Sequence, residues 1–395
     1  MSGHPAGCPV VDYNPFNVEG ALDHMKAIDQ LRAVSPRFKT PMGLHGFYVF
    51  TDAESIRDAL QHPNLFSNRA VSPLDPEPGY LWIPEMLDAP EHTKWRQLLA
   101  PHFTPAASER MEEQIRRRCV EMIEPLVGRT TVDFMSDFAY KFPATIFMEL
   151  FGLPVDDLDM FMGWEHKILH GSPETDPDRS IAGGAMMDVM GYFAQLMAEK
   201  ATNPGDDLLT KAMDWKIDGE AIPQDQMLAF CLLMFMAGLD TVTTQLSYSF
   251  LHLATHPADR ERIVNEPSII PMASEEMLRA YAFVAPGRTA TQDMEFHGVD
   301  FKKGEMVWLP LCGATRDPNA FPNADSVDFD RAENNHIAFG LGPHRCLGSH
   351  LARRELRIAL EEWHARIPVY SLDESVHIPE HGGMFGLDAL SLIIG

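Results

Sequence analysis

A chain of 395 residues that is 45% hydrophobic and 23% charged has enough apolar material for a sizeable folded core. Its formal net charge of −25 repels polyanions, which argues against nucleic acid and anionic membrane surfaces as partners. Cys8, Cys119, Cys231, Cys312 and Cys346 include no Cys-x-x-Cys pair, so the cysteines suggest neither a disulfide framework nor a zinc site, and the compartment reads as reducing.

The first twenty residues carry Pro5, Pro9, Asp12, Pro15 and Glu19 and no long apolar run, which predicts neither a signal peptide nor a membrane anchor. A short strand is expected over Phe47–Phe50, then a helix opening at Thr51 with Glu54 completing a capping box. Residues 71–84, rich in proline and holding Tyr80, Leu81, Trp82 and Ile83, read as an irregular loop that either lines a binding site or packs on the core. His92 and Arg96 share a helix face at i and i+4, by themselves a solvated face, as are Arg116, Arg117 and Arg118. Residues 132–219 are helical in pattern with a break at 171–177, and Met186, Met187, Met190 and Met197 read as core.

Residues 224–256 contain no proline, which allows a helix of about 33 residues, roughly 50 Å long. From Met227 to Leu239 it is apolar on every side, as in a buried helix, and too short to span a bilayer before Asp240 interrupts it. An acid and a hydroxyl at Asp240 and Thr241 must be compensated in such a place, and Thr241 can bond back to a carbonyl one turn earlier and bend the helix. Glu276 and Arg279 meet at i and i+3. Turn signals at His297-Gly298 and Lys302-Lys303-Gly304 predict a small antiparallel sheet between residues 296 and 311.

The most informative stretch is Phe339-Gly340-Leu341-Gly342-Pro343-His344-Arg345-Cys346-Leu347-Gly348, ahead of a helical pattern through Leu351, Ile358, Leu360 and Trp363. Its glycines permit a tight loop and a close approach by a flat ligand. A cysteine delivered to a helix start suits a metal-bound thiolate, because the helix end favours negative charge. The spacing Phe-x-x-Gly-x-x-x-Cys-x-Gly resembles the haem-ligand signature of the cytochrome P-450 family, matched by Phe339, Gly342, Cys346 and Gly348. The resemblance covers nearly the whole chain. It implies one mainly α (α+β) domain over residues 1–395, a helical prism around a buried haem with small antiparallel β-sheets.

On that resemblance the cofactor is haem b and Cys346 is its axial thiolate, which favours O–O cleavage. Phe339, Gly340 and Gly348 lie against the haem, while Ala237 and Gly238 leave room beside the iron. His92, Arg96, Arg288 and His336 hold the propionates, for which a guanidinium fork is suited. Asp240 and Thr241 relay protons to dioxygen. Glu276 and Arg279 form a structural pair completed in the family by a later arginine; Ser326 stands in that place here, leaving the anchoring of residues 317–331 open.

Gly-Leu-Asp-Thr, Glu-Phe-His-Gly-Val and His-Leu-Ala-Arg-Arg-Glu are most similar to the bacterial camphor hydroxylase branch. That places Tyr80 as a substrate hydrogen-bond donor in a pocket of Trp82, Leu233, Ala237, Val284, Met384 and Phe385. The implied activity is hydroxylation of an unactivated C–H bond of a small apolar molecule, a camphor-like monoterpenoid or norisoprenoid, with O2. Electrons would come from a 2Fe-2S ferredoxin and a separate NADH-dependent reductase, since the chain has no Gly-x-Gly-x-x-Gly fingerprint. The implied location is cytoplasmic. A hydrogen-peroxide-driven peroxygenase is the nearest rival, against which Asp240-Thr241 speaks; a haem-thiolate binding or sensor protein would need no relay.

Overall fold

The structure is a computed structural model and describes residues 8–17, 20–171, 174–382 and 385–395. Two compact units can be distinguished. One is built from the chain up to Leu81, Glu85–Thr93 and Glu275–Cys346. At its centre is a five-stranded sheet in the order Arg37–Thr40, Phe47–Phe50, Met306–Trp308, Gly287–Ala290 and Phe66–Ser67. The second and third of these strands are parallel and the other neighbours antiparallel. Phe47–Phe50 is buried on both faces, as aromatic and β-branched residues are in mid-sheet. Val307 pairs with Tyr48 on one side and Arg288 on the other, which sets Arg288 inside the sheet. Gly287 precedes it because its N–H donates to Val71 O at 2.7 Å, and a Cβ would lie 2.9 Å from that oxygen.

The helix after Phe47–Phe50 runs over Ala53–Gln61, and its cap is Asp52, whose carboxylate accepts the Ser55 N–H at 3.0 Å. The cap expected at Thr51 is displaced because the Thr51 hydroxyl donates to Pro36 O at 2.9 Å. His297-Gly298 turns the hairpin Met294–Phe296 to Val299–Phe301, as the turn signal predicts, whereas Met306–Trp308 joins the large sheet instead.

This unit also resolves the expectation about Ser326. Glu276 accepts from Arg279 Nε at 2.8 Å and Nη2 at 2.7 Å, and from Arg331 Nε at 3.1 and 3.0 Å. Arg331 is therefore the third member of the cluster. Residue 326 contributes its main chain: Ser326 O accepts from Arg279 Nη2 at 2.8 Å and Arg331 Nη2 at 3.2 Å.

The second unit comprises Trp82–Pro84, Lys94–Ser274 and Leu347–Gly395. Its main helices include Glu112–Ile123, Lys141–Phe151, Leu158–Leu169, Ser180–Thr202, Gln224–Leu239, Thr241–Thr255 and Ser349–Arg366. The break predicted at 171–177 falls between two of these, and residues 172–173 lie outside the described ones. A three-stranded sheet of Tyr370–Leu372, Ser391–Ile394 and Thr131–Asp133 closes one flank. Trp363, fully buried, is packed edge-on by Phe134, Phe138 and Phe250 with ring centroids 5.1 to 5.4 Å apart.

Gln224–Thr255 is a 32-residue helical run, close to the length expected, interrupted locally at Asp240 and apolar enough by composition to cross a membrane. Its most apolar window is 61% buried inside the fold, which is how a core helix satisfies the same composition. Arg116 and Arg118 likewise depart from the solvated face expected of them. Arg116 binds Glu361 at 2.6 Å and also Glu362, Arg118 binds Glu149, and Arg354 binds Glu112, so charge pairs tie Glu112–Ile123 to its neighbours.

Candidate active site

Residues 339–346 form a closed loop. Gly340 N–H donates to Ile337 O and Cys346 N–H to Phe339 O, both at 2.8 Å. Gly340 and Gly342 have φ of 71° and 73°, and a Cβ on Gly342 would run into Leu60 O. The turn Gly342–His344 then delivers Cys346, exposed, ahead of Gly348, the cap residue of Ser349–Arg366. Cys119, Cys231 and Cys312 are buried, and burial pushes the Cys312 thiol up to about 12. The loop presents a cysteine outward while the fold hides those three.

Helix Glu91–Leu99 brings His92 to this loop: its buried ring stacks on that of His344, centroids 3.8 Å apart. Sequence reasoning passed over His344. Arg96 follows one turn later, half-buried. Arg288 is only 4% exposed, its guanidinium donates to Gly287 O at 2.8 Å, and burial lowers its pKa. Among the described residues no carboxylate lies within ion-pair distance of it. A buried cation answered only at longer range by Glu85 and Asp88 costs several kcal/mol, and a propionate carboxylate would supply a direct partner, so Arg288 fits a haem. His336 departs from expectation. Its Nε2 lies 3.0 Å from Glu275 Oε2 and its Nδ1 accepts the Ala338 N–H at 3.2 Å, so both nitrogens staple the loop and neither is left for a propionate.

On the long helix, Leu233, Ala237 and Thr241 recur every four residues and remain open, as do Met234, Gly238 and Val242, while Leu232, Phe235, Met236 and Leu239 are buried. A helix apolar on all sides that leaves one stripe uncovered has a face for a ligand. Gly238 does not supply that room through its missing side chain: a Cβ there would overlap the ring of Phe147, so the glycine accommodates Phe147. Thr241 Oγ1 donates to Ala237 O at 3.3 Å, and Thr243 Oγ1 lies 3.0 Å from Leu239 O and 2.9 Å from Ala139 O. These back-bonds bracket Asp240, where the helix is interrupted.

Asp240 is 2% exposed, with His170 Nε2 3.5 Å from its carboxylate, and Glu165 Oε1 lies 3.3 Å from the same nitrogen. Burial raises the Asp240 pKa, but the facing imidazole outweighs it and holds the carboxyl below its ordinary value. His170 responds oppositely: burial lowers it, the two carboxylates raise it more, and it is pushed up to about 10. Burial raises Glu165. No motif links residues 165 and 170 to Asp240; the pair His166 and His170 at i and i+4 was the available signal.

The expected substrate contacts are scattered in their surroundings. Tyr80, Trp82, Leu233 and Val284 are half-buried, and Ile83 N–H donates to Ala229 O at 3.4 Å, hanging part of the loop on the long helix. Phe385 is 0% exposed. Met384 lies outside the described residues.

The family model for cytochrome P-450 matches residues 185–363. The chain is 35% identical to the probable cytochrome P-450 127A1 of Sinorhizobium fredii, over 88% of this chain and 83% of that one. It is 31% identical to the vitamin D(3) 25-hydroxylase of Pseudonocardia autotrophica over 88% of each. Among solved structures, CYP101J2 and CYP101C1 each match the whole chain with a TM-score of 0.88, at 26% and 27% identity. With this similarity in sequence and fold, and with the glycine-closed cysteine loop, the chain belongs to the cytochrome P-450 family of haem-iron monooxygenases.

Proposed function

We propose that this monooxygenase hydroxylates an unactivated C–H bond of a compact terpenoid carrying a single ketone or ether oxygen, with electrons from a 2Fe-2S ferredoxin and a separate NADH-dependent reductase. The observation that carries the reading is the open stripe Leu233, Ala237 and Thr241 on an otherwise enclosed helix, ending beside the buried acid Asp240. An apolar stripe with one hydroxyl accommodates hydrocarbon and leaves a single proton-handling group next to it. The names of two relatives, a vitamin D(3) 25-hydroxylase and a methyl-branched lipid omega-hydroxylase, support hydrocarbon oxidation.

Haem supplies the oxygen-activating redox chemistry when bound. Cys346 would ligate its iron, and His92, Arg96 and Arg288 would hold the propionates. Leu233 and Val284 exclude water from the substrate, and the Tyr80 hydroxyl donates to its oxygen. Thr241 Oγ1 holds a proton within the groove, and Asp240 replenishes it through its carboxylate. The same reading puts the enzyme in the cytoplasm, with its redox partners.

The test is a terpenoid panel screened for a low-spin to high-spin shift, followed by turnover with NADH, reductase and ferredoxin. Hydroxylated product is expected, and Cys346→Ser should lose the red-shifted carbon monoxide band that names the family. Product from hydrogen peroxide alone, with none from the ferredoxin chain, would make the protein a peroxygenase. Product from neither would make it a binding protein.

A further inference from the structure

We infer that Glu165, His170 and Asp240 form a binding site for a divalent transition-metal ion of the zinc class, set on the acid that supplies protons to the oxygen groove. The three side chains are 1%, 2% and 2% exposed. Among the described residues, Glu165 Oε1, His170 Nε2 and the Asp240 oxygen Oδ2, which is not the one nearest the imidazole, are buried without a hydrogen bond of ordinary geometry. Three orphaned polar atoms of metal-ligating type in one place are costly unless a shared ligand answers them. A proton on His170 Nε2 can satisfy only one of the two carboxylates. A dication answers all three.

The distances agree. From His170 Nε2, Glu165 Oε1 is at 3.3 Å and Asp240 Oδ1 at 3.5 Å, longer than the usual charge-assisted bond. Nitrogen and oxygen ligands about 2.0–2.1 Å from a tetrahedral zinc stand roughly 3.3–3.4 Å from one another. The surroundings orient the imidazole as a ligand. His170 Nδ1 lies 3.2 Å from His166 Nδ1, so an Nδ1–H donated there fixes the ring with Nε2 toward the carboxylates, and an incoming ion displaces the proton they hold on Nε2. The His170 ring is held from one side by that of His381, stacked at 4.0 Å, and His381 is fixed in turn by Asp388 at 2.7 Å. Three protein ligands leave a fourth position for water.

The site itself stands on the geometry alone; its effect on turnover rests on Asp240 being the proton-supplying acid proposed above. An ion there occupies the Asp240 carboxylate and throttles proton supply. The experiment uses chelator-treated holoenzyme titrated with zinc chloride against a chromophoric chelator, with X-ray absorption at the zinc edge. One zinc per chain is expected with nitrogen and oxygen donors only, at about 2.0 Å. Glu165→Gln should weaken it at least tenfold and His166→Phe, which removes the partner of His170 Nδ1, by roughly 10- to 100-fold. Zinc–sulfur distances near 2.3 Å, unchanged affinity in Glu165→Gln, or no bound zinc would overturn the site and leave an imidazolium ion pair only. The absorption spectrum of the unmodified protein decides the matter even if Glu165→Gln fails to fold. Zinc should also slow ferredoxin-driven oxygen consumption. Tight binding without slowing keeps the site and removes Asp240 from proton delivery; no binding while Asp240→Asn still slows the enzyme does the reverse.

Discussion

Gly238→Ala separates two reasons for a glycine in the long helix. A Cβ at 238 would overlap Cδ2 and Cγ of Phe147 and stand 2.7 Å from Cε2, against the rigid body of an aromatic ring with no flexible end to yield. Phe147 is itself buried between Phe151 and the long helix, so the ring must be pushed off its packing. Overpacking of this kind costs about 1–3 kcal/mol, offset by about 1 kcal/mol that alanine gains over glycine within a helix. The net expectation is a loss of about 0–2 kcal/mol. The assay is a double-mutant cycle with Phe147→Leu, read as thermal midpoints of the haem-loaded protein at one fixed scan rate. The double variant should be more stable than the sum of the single effects by about 1 kcal/mol or more. Additive effects, or a loss of haem from Gly238→Ala that Phe147→Leu does not relieve, would show that the glycine makes room for the cofactor instead.

Thr241→Ala should leave NADH consumption largely intact but divert oxygen to hydrogen peroxide, measured as product per NADH; unchanged coupling reduces Thr241 to its back-bond with Ala237. Tyr80→Phe should weaken a ketone-bearing terpenoid by a few-fold, since one hydrogen bond is worth roughly 0.5–1.5 kcal/mol, and leave the matching hydrocarbon alone; equal effects on both remove the donor role. Arg331→Met breaks a buried pair with Glu276 and should cost roughly 3 kcal/mol, whereas Ser326→Ala should stay within about 0.5 kcal/mol; melting of both variants compares them. Burial holds the His364 imidazole down at about 4, against 6.5 for the free group. Its folded pKa lies below the unfolded one, so its contribution is complete above pH 6.5 and lost as pH falls toward 4, by about 3 kcal/mol at most. His364→Gln should flatten that acid limb in pH-dependent unfolding; an unaltered limb would place the loss on other groups.

Local pattern carried far in this chain. The cysteine loop was legible because its glycines and cysteine do their work within ten residues, and the long helix because apolarity over two full turns needs no knowledge of neighbours. The strand at Phe47–Phe50 was legible for the same reason. The reason for Gly238 was not, since Phe147 arrives from 91 residues earlier in the chain. The partners of Asp240 come from the helix Leu158–Leu169 and its end, and an acid in a helix states only that something must face it. Thr51 and Asp52 were both competent caps, and the choice fell to whichever hydroxyl or carboxylate found the better partner, here Pro36 O for Thr51. At Ser326 an alignment of side chains misled because the contact is made by the peptide group.

That last contact offers a place to attach a reporter. The Ser326 hydroxyl is exposed and lies 3.4 Å from its neighbour Asp325, while its carbonyl receives both Arg279 and Arg331. A fluorophore or spin label on Ser326→Cys would project into solvent from a peptide clamped to a buried arginine pair. Its tumbling would then register loosening of the Glu276 cluster directly, at a place that haem absorbance does not report on.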